Sequence, residues 1–285
     1  MKIQKKFFIT DFDGTLLKDD KTISCEDIKT LEILRQKKIF TAIATGRSAY
    51  SFGKALKDIG MKDDALPIDY VIFSTGAGIM EFPEGRVIYQ KSLPPLDIRK
   101  ITVYLDHRKY DYMVHRSIPD TQYFFYKSHG KENPDFYARL ALYKEYALPL
   151  EQGHCLEDPA TETLAIIPGG ADMDSIEIIK KDLSDFSVIH ATSPLDHKSS
   201  WIEIFHKGVS KSNAASWLVK KLGLSRQNVI SIGNDFNDQD LLAWSGKGFV
   251  VDNAPARLRK IFKTVPSNNL CGVSEAAQKA GWLNR

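Results

Sequence analysis

Along the 285-residue chain, short apolar runs alternate with segments whose apolar residues recur at helical spacing. That alternation predicts an α/β fold. Phe7-Phe8-Ile9-Thr10 is a run of β-formers of strand length that stops at an acidic turn. Ser24 with Asp27 three residues on resembles a capping pair. Ile28, Leu31 and Leu34 then share one face, which predicts a helix to about Lys37. Phe40-Thr41-Ala42-Ile43-Ala44-Thr45 predicts a second strand closed by Gly46, and a helix follows from about Ser48 to Ile59. Tyr70-Val71-Ile72-Phe73-Ser74 predicts a third strand, ending in Thr75-Gly76-Ala77-Gly78. Strand and helix in turn, with short links, predict a parallel, doubly wound sheet. The same rhythm returns late: a strand at Trp201-Ile202-Glu203-Ile204-Phe205, a helix from Ser210 to Leu222, and a strand from Val229 to Ile232 that stops at Gly233. A helix from about Asn237 to Trp244 and a strand from Gly248 to Val251 complete it.

The middle differs. From about Pro83 to Pro194 the chain is richer in aromatics and its strands lack Gly-rich ends. Helices are predicted at Leu96–His107, Pro134–Tyr146 and Asp172–Lys181, and strands at Tyr112–His115, Gln122–Tyr126, Thr163–Ile167 and Ser187–His190. The aromatic run Tyr123-Phe124-Phe125-Tyr126 reads as a strand covered on both faces. The expected organisation is a Rossmann-like core made of 1–83 plus 195–285, with an inserted α+β unit over 84–194. The sequence shows no internal repeat and no low-complexity segment.

Composition narrows the class. Hydrophobic residues are 43% and charged residues 26%, which excludes disordered, collagen-like and coiled-coil chains. The net charge of +3 is too small to suggest a nucleic-acid partner. No apolar run approaches the roughly 18 residues of a membrane span. The basic start, Met1 to Lys6, leads into too short an apolar stretch for a secretory signal, so a cytoplasmic location is expected. Cys25, Cys155 and Cys271 form no close pair, so neither a disulfide framework nor a zinc site is indicated. The seven histidines, His107, His115, His129, His154, His190, His197 and His206, show no metal-like spacing.

The candidate chemistry sits at strand exits. Asp11-Phe12-Asp13-Gly14-Thr15-Leu16-Leu17 follows the first strand directly. Open α/β sheets bind ligands at the carboxyl ends of their strands. In extended chain, residues i and i+2 point the same way, so both carboxylates can face one small site. Two such close charges would repel, and a divalent cation relieves that; hard oxygens suit Mg²⁺. Thr45-Gly46-Arg47 leaves the second strand with a hydroxyl and backbone N–H groups suited to phosphate oxygens. Lys207-Gly208-Val209-Ser210-Lys211 opens a helix, where a cation is unfavourable. Lys211 is therefore better explained by facing phosphate and carboxylates, whereas Lys207 reads as a surface charge. Gly233-Asn234-Asp235-Phe236-Asn237-Asp238 crowds four oxygen-bearing side chains into one turn.

These four segments, in this order, resemble the four motifs of the haloacid-dehalogenase-like superfamily. The insertion resembles the type-II cap of the Cof-type phosphatases. Ile202-Glu203-Ile204, Val251-Asp252-Asn253-Ala254-Pro255 and Gly272-Val273 add matches. The resemblance covers both flanks by motif and the insertion by position and length alone. It implies a Mg²⁺-dependent phosphatase of small phosphorylated metabolites, most simply sugar phosphates, working through an aspartyl phosphate. No nucleic-acid or membrane partner is implied. Asp11 would be the nucleophile and Asp13 the general acid and base. Thr45, Gly46, Arg47, Lys211 and Asn237 would hold phosphate or substrate. Asp11, the Asp13 carbonyl and a residue of the fourth motif would hold the metal, and Asp238 would orient Lys211 or a metal-bound water. The insertion would exclude water and select the leaving group.

Three departures stand out. The usual Gly-Asp is Gly233-Asn234 here, followed by Asp235. Either Asn234 ligates through its amide oxygen or Asp235 takes over. A carboxylate holds Mg²⁺ better, which tilts the expectation toward Asp235. Thr75-Gly76-Ala77 stands where Asn-Gly-Ala is common, and Ser212 follows the motif lysine in place of Gly. Neither of these last two threatens hydrolysis. Two other readings use similar residues: a phosphomutase on the same fold, and a phospho-accepting receiver module. The receiver lacks an equivalent of Asp13 and needs no insertion.

Overall fold

The computed structural model describes residues 5–62, 65–130, 132–150, 157–169 and 171–283; His154 and Cys155 lie outside them. The elements run β1 (Phe7–Thr10), α1 (Cys25–Gln36), β2 (Phe40–Ala44), α2 (Ala49–Asp58), β3 (Tyr70–Phe73), β4 (Gly78–Glu81) and β5 (Val87–Gln90). The insertion follows: α3 (Pro95–Arg108), β6 (Asp111–Arg116), β7 (Phe124–Lys127), α4 (Pro134–Leu142), β8 (Ala147–Pro149), β9 (Ala160–Ile167), α5 (Met173–Asp182), β10 (Ser187–Thr192) and β11 (Ser200–Phe205). The chain then continues through α6 (Lys211–Lys221), β12 (Val229–Gly233), α7 (Gln239–Trp244), β13 (Lys247–Val251), α8 (Ala256–Ile261), β14 (Lys263–Val265) and α9 (Gly272–Lys279). Two compact units result: Met1–Arg47 with Ser51–Tyr89 and Ser210–Arg285, and Ser48–Tyr50 with Gln90–Val209.

The first unit is built on a sheet of order β14-β13-β12-β1-β2-β3-β4-β5. Its centre is parallel from β14 to β3, and β4 is antiparallel to β3. Phe7, Phe8 and Ile9 of β1 are all fully buried. A central strand covered on both faces explains why its sequence is apolar without alternation. Ala214, Ala215, Leu218 and Val219 of α6 pack with Phe7, Ile9 and Ile72 on one face. Ser24 caps α1 by accepting from the Asp27 N–H at 3.0 Å, as its position predicts. The chain runs outward from β1 through β2 and β3, and later returns to build β12, β13 and β14 on the other side. The reversal falls between β1 and β12, where ligands of such sheets bind.

The second unit is an α+β layer pair. Its sheet has the order β10-β11-β9-β6-β7-β8, antiparallel except where β7 meets β8. Ile98, Ile101 and Leu105 of α3 and Ile176 and Ile179 of α5 pack with Tyr112, Val114, Ile202 and Ile204 of the sheet. Phe136 of α4 packs with Met113, Leu164, Ile166 and Trp201. The strand at Trp201–Phe205, grouped with the core by the sequence pattern, belongs here: β11 lies between β9 and β10. The unit boundaries accordingly fall at 89/90 and 209/210 rather than at 83/84 and 194/195. The aromatic run is also less covered than expected, for Phe124 is buried but Tyr123 is exposed. No helix among the described residues is long and apolar enough to cross a membrane.

His115 on β6 is a buried imidazole facing an acidic neighbour. It is 4% exposed, its Nδ1 lies 2.9 Å from the Thr121 carbonyl, and Nε2 is buried with no hydrogen-bond partner among the described residues. Glu162 stands opposite it on β9. Burial, and then the Arg139 charge, push the imidazole down to about 3 from 6.5. Between those values the unfolded imidazole binds a proton that the folded one does not, so the stability His115 contributes falls as pH drops from 6.5 toward 3. Glu162, pushed up to about 8 by burial and then by Glu203, contributes in the opposite sense. We expect His115→Gln to flatten the slope of unfolding free energy against pH across that window by up to about 1.4 kcal/mol per pH unit. Urea melts at stepped pH read this, and an unchanged slope would refute it.

Candidate active site

The carboxyl ends of β12, β1 and β2 lie side by side, and they bring the motifs together. Thr10 pairs with Ile232 on one side and with Ile43 on the other. The Asp11 N–H donates to the Ile232 carbonyl at 2.9 Å, so Asp11 prolongs β1 by one residue. Phe12 is fully buried and packs edge-on against Phe52 with ring centroids 5.2 Å apart. The two residues that flank Phe12 meet cations, Asp11 the buried Lys211 and Asp13 the half-buried Arg47.

Lys211 ties the site together. It is the first residue of α6 and is fully buried, and its Nζ donates to Asp11 Oδ1 at 2.8 Å and to Asp238 Oδ1 at 2.5 Å. A buried ammonium at a helix N-terminus opposes both solvation and the macrodipole. Burial lowers its affinity for the proton, but the two carboxylates outweigh that and hold Lys211 well above the ordinary lysine range. Asp238 Oδ2 accepts from the Asn234 and Asp235 N–H groups at 2.9 and 3.1 Å. One carboxylate thus joins α6 to the turn after β12. Gly233 makes this possible, because a Cβ there would lie 2.5 Å from the Asp238 carboxyl carbon.

Arg47, expected at the phosphate, pairs with Asp13. Its Nε donates to Asp13 Oδ2 at 2.6 Å and its Nη2 to Asp13 Oδ1 at 2.7 Å, a forked pair. Thr45 is buried, and its Oγ1 accepts from the Arg47 N–H at 3.1 Å, which closes the turn around Gly46. The turn after β3 braces this loop: the Ser74 N–H donates to the Arg47 carbonyl and the Thr75 N–H to the Thr45 carbonyl. Ser74 and Thr75 both hold positive φ, at 46° and 54°, a costly conformation for residues with a Cβ.

The two candidates of the fourth motif separate. Asn234 lies against Gly14, whose φ is 69° and whose Cβ, were there one, would meet the amide at 2.6 Å. Asn234 Oδ1 accepts from the Thr15 hydroxyl at 3.2 Å. It lies 3.0 Å from the Asp13 carbonyl oxygen and 3.1 Å from Asp11 Oδ2, an oxygen set that suits a cation; with the amide turned over, its nitrogen would instead donate to both. The Asp235 carboxylate instead caps the short 3₁₀ turn Phe236–Asp238 by accepting from the Asp238 N–H. The residue beside Asp11 and the Asp13 carbonyl is therefore Asn234. Asn237 is half-buried on that same turn. Lys207 is exposed and reaches the Ser184 carbonyl in the second unit.

These residues fit a hard cation. Among the described residues no three His, Cys, Asp or Glu side chains group as a metal site. The set expected here would escape such a count, since it joins one carboxylate to a backbone carbonyl and an amide. Asp11, Asp13 and Asp238 outnumber Lys211 and Arg47 by one charge. Burial and then Asp238 push Asp11 up to about 7 although Lys211 pulls it down. A divalent cation beside Asp11 would remove that excess.

Sequence reasoning quoted Asn253 within a matching segment without giving it a role, and it missed Asn268. Asn253 Nδ2 donates to the Gly14 carbonyl at 2.8 Å, and the buried Asn268 donates to the Leu17 carbonyl at 3.1 Å and Asp19 Oδ1 at 2.9 Å. These amides anchor the loop that follows Asp13. Their residue types resemble ordinary turn residues, and only the fold brings them to the loop.

Comparison with known proteins agrees with the geometry. The pattern of the haloacid dehalogenase-like hydrolases matches residues 8–276. A Bacillus subtilis 5-amino-6-(5-phospho-D-ribitylamino)uracil phosphatase is 25% identical over 284 residues, covering 96% of this chain and 97% of that protein. An Escherichia coli HMP-PP phosphatase is 26% identical over 263 residues, covering 92% and 89%. A solved phosphatase of this superfamily from Bacteroides thetaiotaomicron superposes with a TM-score of 0.78 at 20% identity, covering 98% of this chain and 96% of that one.

Removing Asp238 leaves a fully buried ammonium with one partner. We expect Asp238→Ala to lower the unfolding free energy by about 3 kcal/mol or more. Urea denaturation measures this, and a loss under about 1 kcal/mol would show that the pair behaves as a surface contact.

Proposed function

The chain belongs to the haloacid dehalogenase-like hydrolases, and we propose from that premise that it is a divalent-cation-dependent phosphatase of small phosphorylated metabolites. The observation that carries this reading is Asp11 at the end of β1, with Lys211 on one oxygen and Asp13 two residues on. The relatives named above act on small phosphorylated compounds, which supports the substrate class.

The chemistry follows from the residues. The Asp11 carboxylate attacks the phosphorus of a monoester, and the bond to the ester oxygen breaks as an aspartyl phosphate forms. Asp13, ionised against Arg47 in the free site, must carry a proton in the substrate complex, and it gives that proton to the departing alkoxide. Asp13, now a carboxylate, then takes a proton from water as that water attacks the phosphorus, and orthophosphate leaves with Asp11 restored. Lys211, the Thr45 hydroxyl and the Gly46 N–H hold the phosphoryl oxygens as charge builds on them. Asn237, on the turn with Asp238, would contact the substrate. A divalent cation, Mg²⁺ by the hardness of its oxygens, would be held by the Asp11 carboxylate, the Asp13 carbonyl and the Asn234 amide oxygen, and would offset repulsion between Asp11 and the phosphoryl dianion. Within this reading sugar phosphates are the substrates to try first.

Phosphate release from a panel of sugar phosphates, nucleotides and cofactor phosphates tests the reading. We expect Mg²⁺-dependent turnover that a chelator removes. Asp11→Asn should lose about 10³-fold or more with circular dichroism unchanged, and Asp13→Asn about 10²-fold or more. Retained Mg²⁺-dependent release in Asp11→Asn would exclude Asp11 as nucleophile, and isomerised sugar phosphate in place of orthophosphate would make the enzyme a mutase.

A further inference from the structure

The Thr45-Gly46-Arg47 turn places a cation beside the expected acid rather than in the phosphate cradle. We propose that Arg47 is the positioning residue for Asp13, fixing the orientation of its carboxyl group for proton transfer, and that it does not act as a phosphate ligand. The proposal rests on the reading of Asp13 as the proton donor given above.

Four observations carry it. First, two of the three guanidinium nitrogens face Asp13, one on each carboxylate oxygen, at 2.6 and 2.7 Å. Second, the third nitrogen, Nη1, donates to the Ser51 carbonyl at 3.3 Å, so the fork is held from behind by α2. Third, the guanidinium lies over the ring of Phe12, 5.7 Å from its centroid, and Phe12 is the residue between the two aspartates. Fourth, the backbone of Arg47 is fixed at both ends, its N–H on Thr45 Oγ1 and its carbonyl on the Ser74 N–H. A planar fork restrained in this way sets both the position and the plane of the carboxyl group it holds. Lysine, a point charge on a flexible stem, would supply the attraction without the plane.

The Asp13 side chain is 37% exposed, so one side of it is open to solvent while Arg47 holds the other. Phosphoryl transfer to Asp11 needs the Asp13 proton at the ester oxygen as the bond to phosphorus breaks. A small misplacement of that group costs rate and leaves the binding of the phosphoryl group alone. A phosphate ligand would behave in the opposite way.

Leaving-group dependence separates these cases. The ester oxygen of phenyl phosphate needs a proton to depart, whereas 2,4-dinitrophenyl phosphate releases a stable anion. Arg47→Lys and Arg47→Gln would be compared with the wild type in rapid-mixing experiments with Mg²⁺. We expect the first-turnover release of phenol to fall about 10- to 100-fold in both variants. The burst of dinitrophenolate and the inhibition constant of inorganic phosphate should stay within about threefold. In an Asp13→Asn background, Arg47→Gln should change phenol release by less than about twofold, because the two residues act as one unit. Equal losses on both esters with a weakened phosphate constant would overturn the proposal in favour of a phosphate ligand. Full additivity of the two substitutions would also overturn it. A wild-type protein that releases no phosphate from either ester would refute the phosphatase reading itself, and that outcome is distinct from both.

Discussion

Everything at the site leans on one buried ammonium. Lys211 reaches Asp11 on β1 and Asp238 beyond β12, residues separated from it in sequence by 200 and 27 positions. Each carboxylate offsets part of the cost of burying that cation, and the cation offsets the cost of burying them. The interaction is thus a constraint on the path of the chain as well as a charge pair. It obliges α6 to begin at one spot over the sheet, and it fixes the turn after β12, since Asp238 holds the Asn234 and Asp235 N–H groups with its other oxygen.

The sheet order makes this economy possible. Parallel strands deliver all their carboxyl ends to one edge, so three exits from β12, β1 and β2 meet without any long loop. The insertion can then grow between β5 and α6 without disturbing them, because the chain leaves from the antiparallel edge of the sheet, beyond β3 and β4, and re-enters at Ser210. A glycine with φ of 100°, Gly76, lets the turn after β3 approach that point, for a Cβ there would lie 2.3 Å from the Ser210 carbonyl oxygen. The late return therefore has a defined landing place.

What the sequence could disclose follows from how local each feature is. Buried parallel strands are readable because burial on both faces leaves an unbroken apolar run, as in Phe7-Phe8-Ile9. The four motifs are readable because each is short, three of them at strand exits and one at the start of α6. The placement of Trp201–Phe205 was not readable. All its residues are buried, so the run looks the same whether its partners are parallel strands of the core or antiparallel β9 and β10. The partner of Arg47 was hidden for a similar reason, since a fork that suits phosphate also suits a carboxylate. The same limit applied to Asn234 and Asp235. Ligand chemistry favoured the carboxylate, but the turn spends Asp235 on its own N-cap and leaves the amide facing Asp11.

The charge balance shows why composition was silent about the partner. A net charge of +3 over the whole chain suits no polyanion, yet the proposed substrate carries a dianionic group. Within the site the sign is the reverse of the chain's: three aspartates face one lysine and one arginine, and the arginine is already engaged by Asp13. A phosphoryl dianion would be repelled from such a place. A divalent cation turns the excess of one negative charge into an excess of one positive charge. Cation and phosphate are then mutually required, and the cation is needed to admit the substrate as well as to help the chemistry. Attraction over a distance of a few ångströms between largely buried groups outweighs anything the distant surface charges contribute through screened solvent. The local balance at the ends of β1, β2 and β12 therefore governs what the chain can hold.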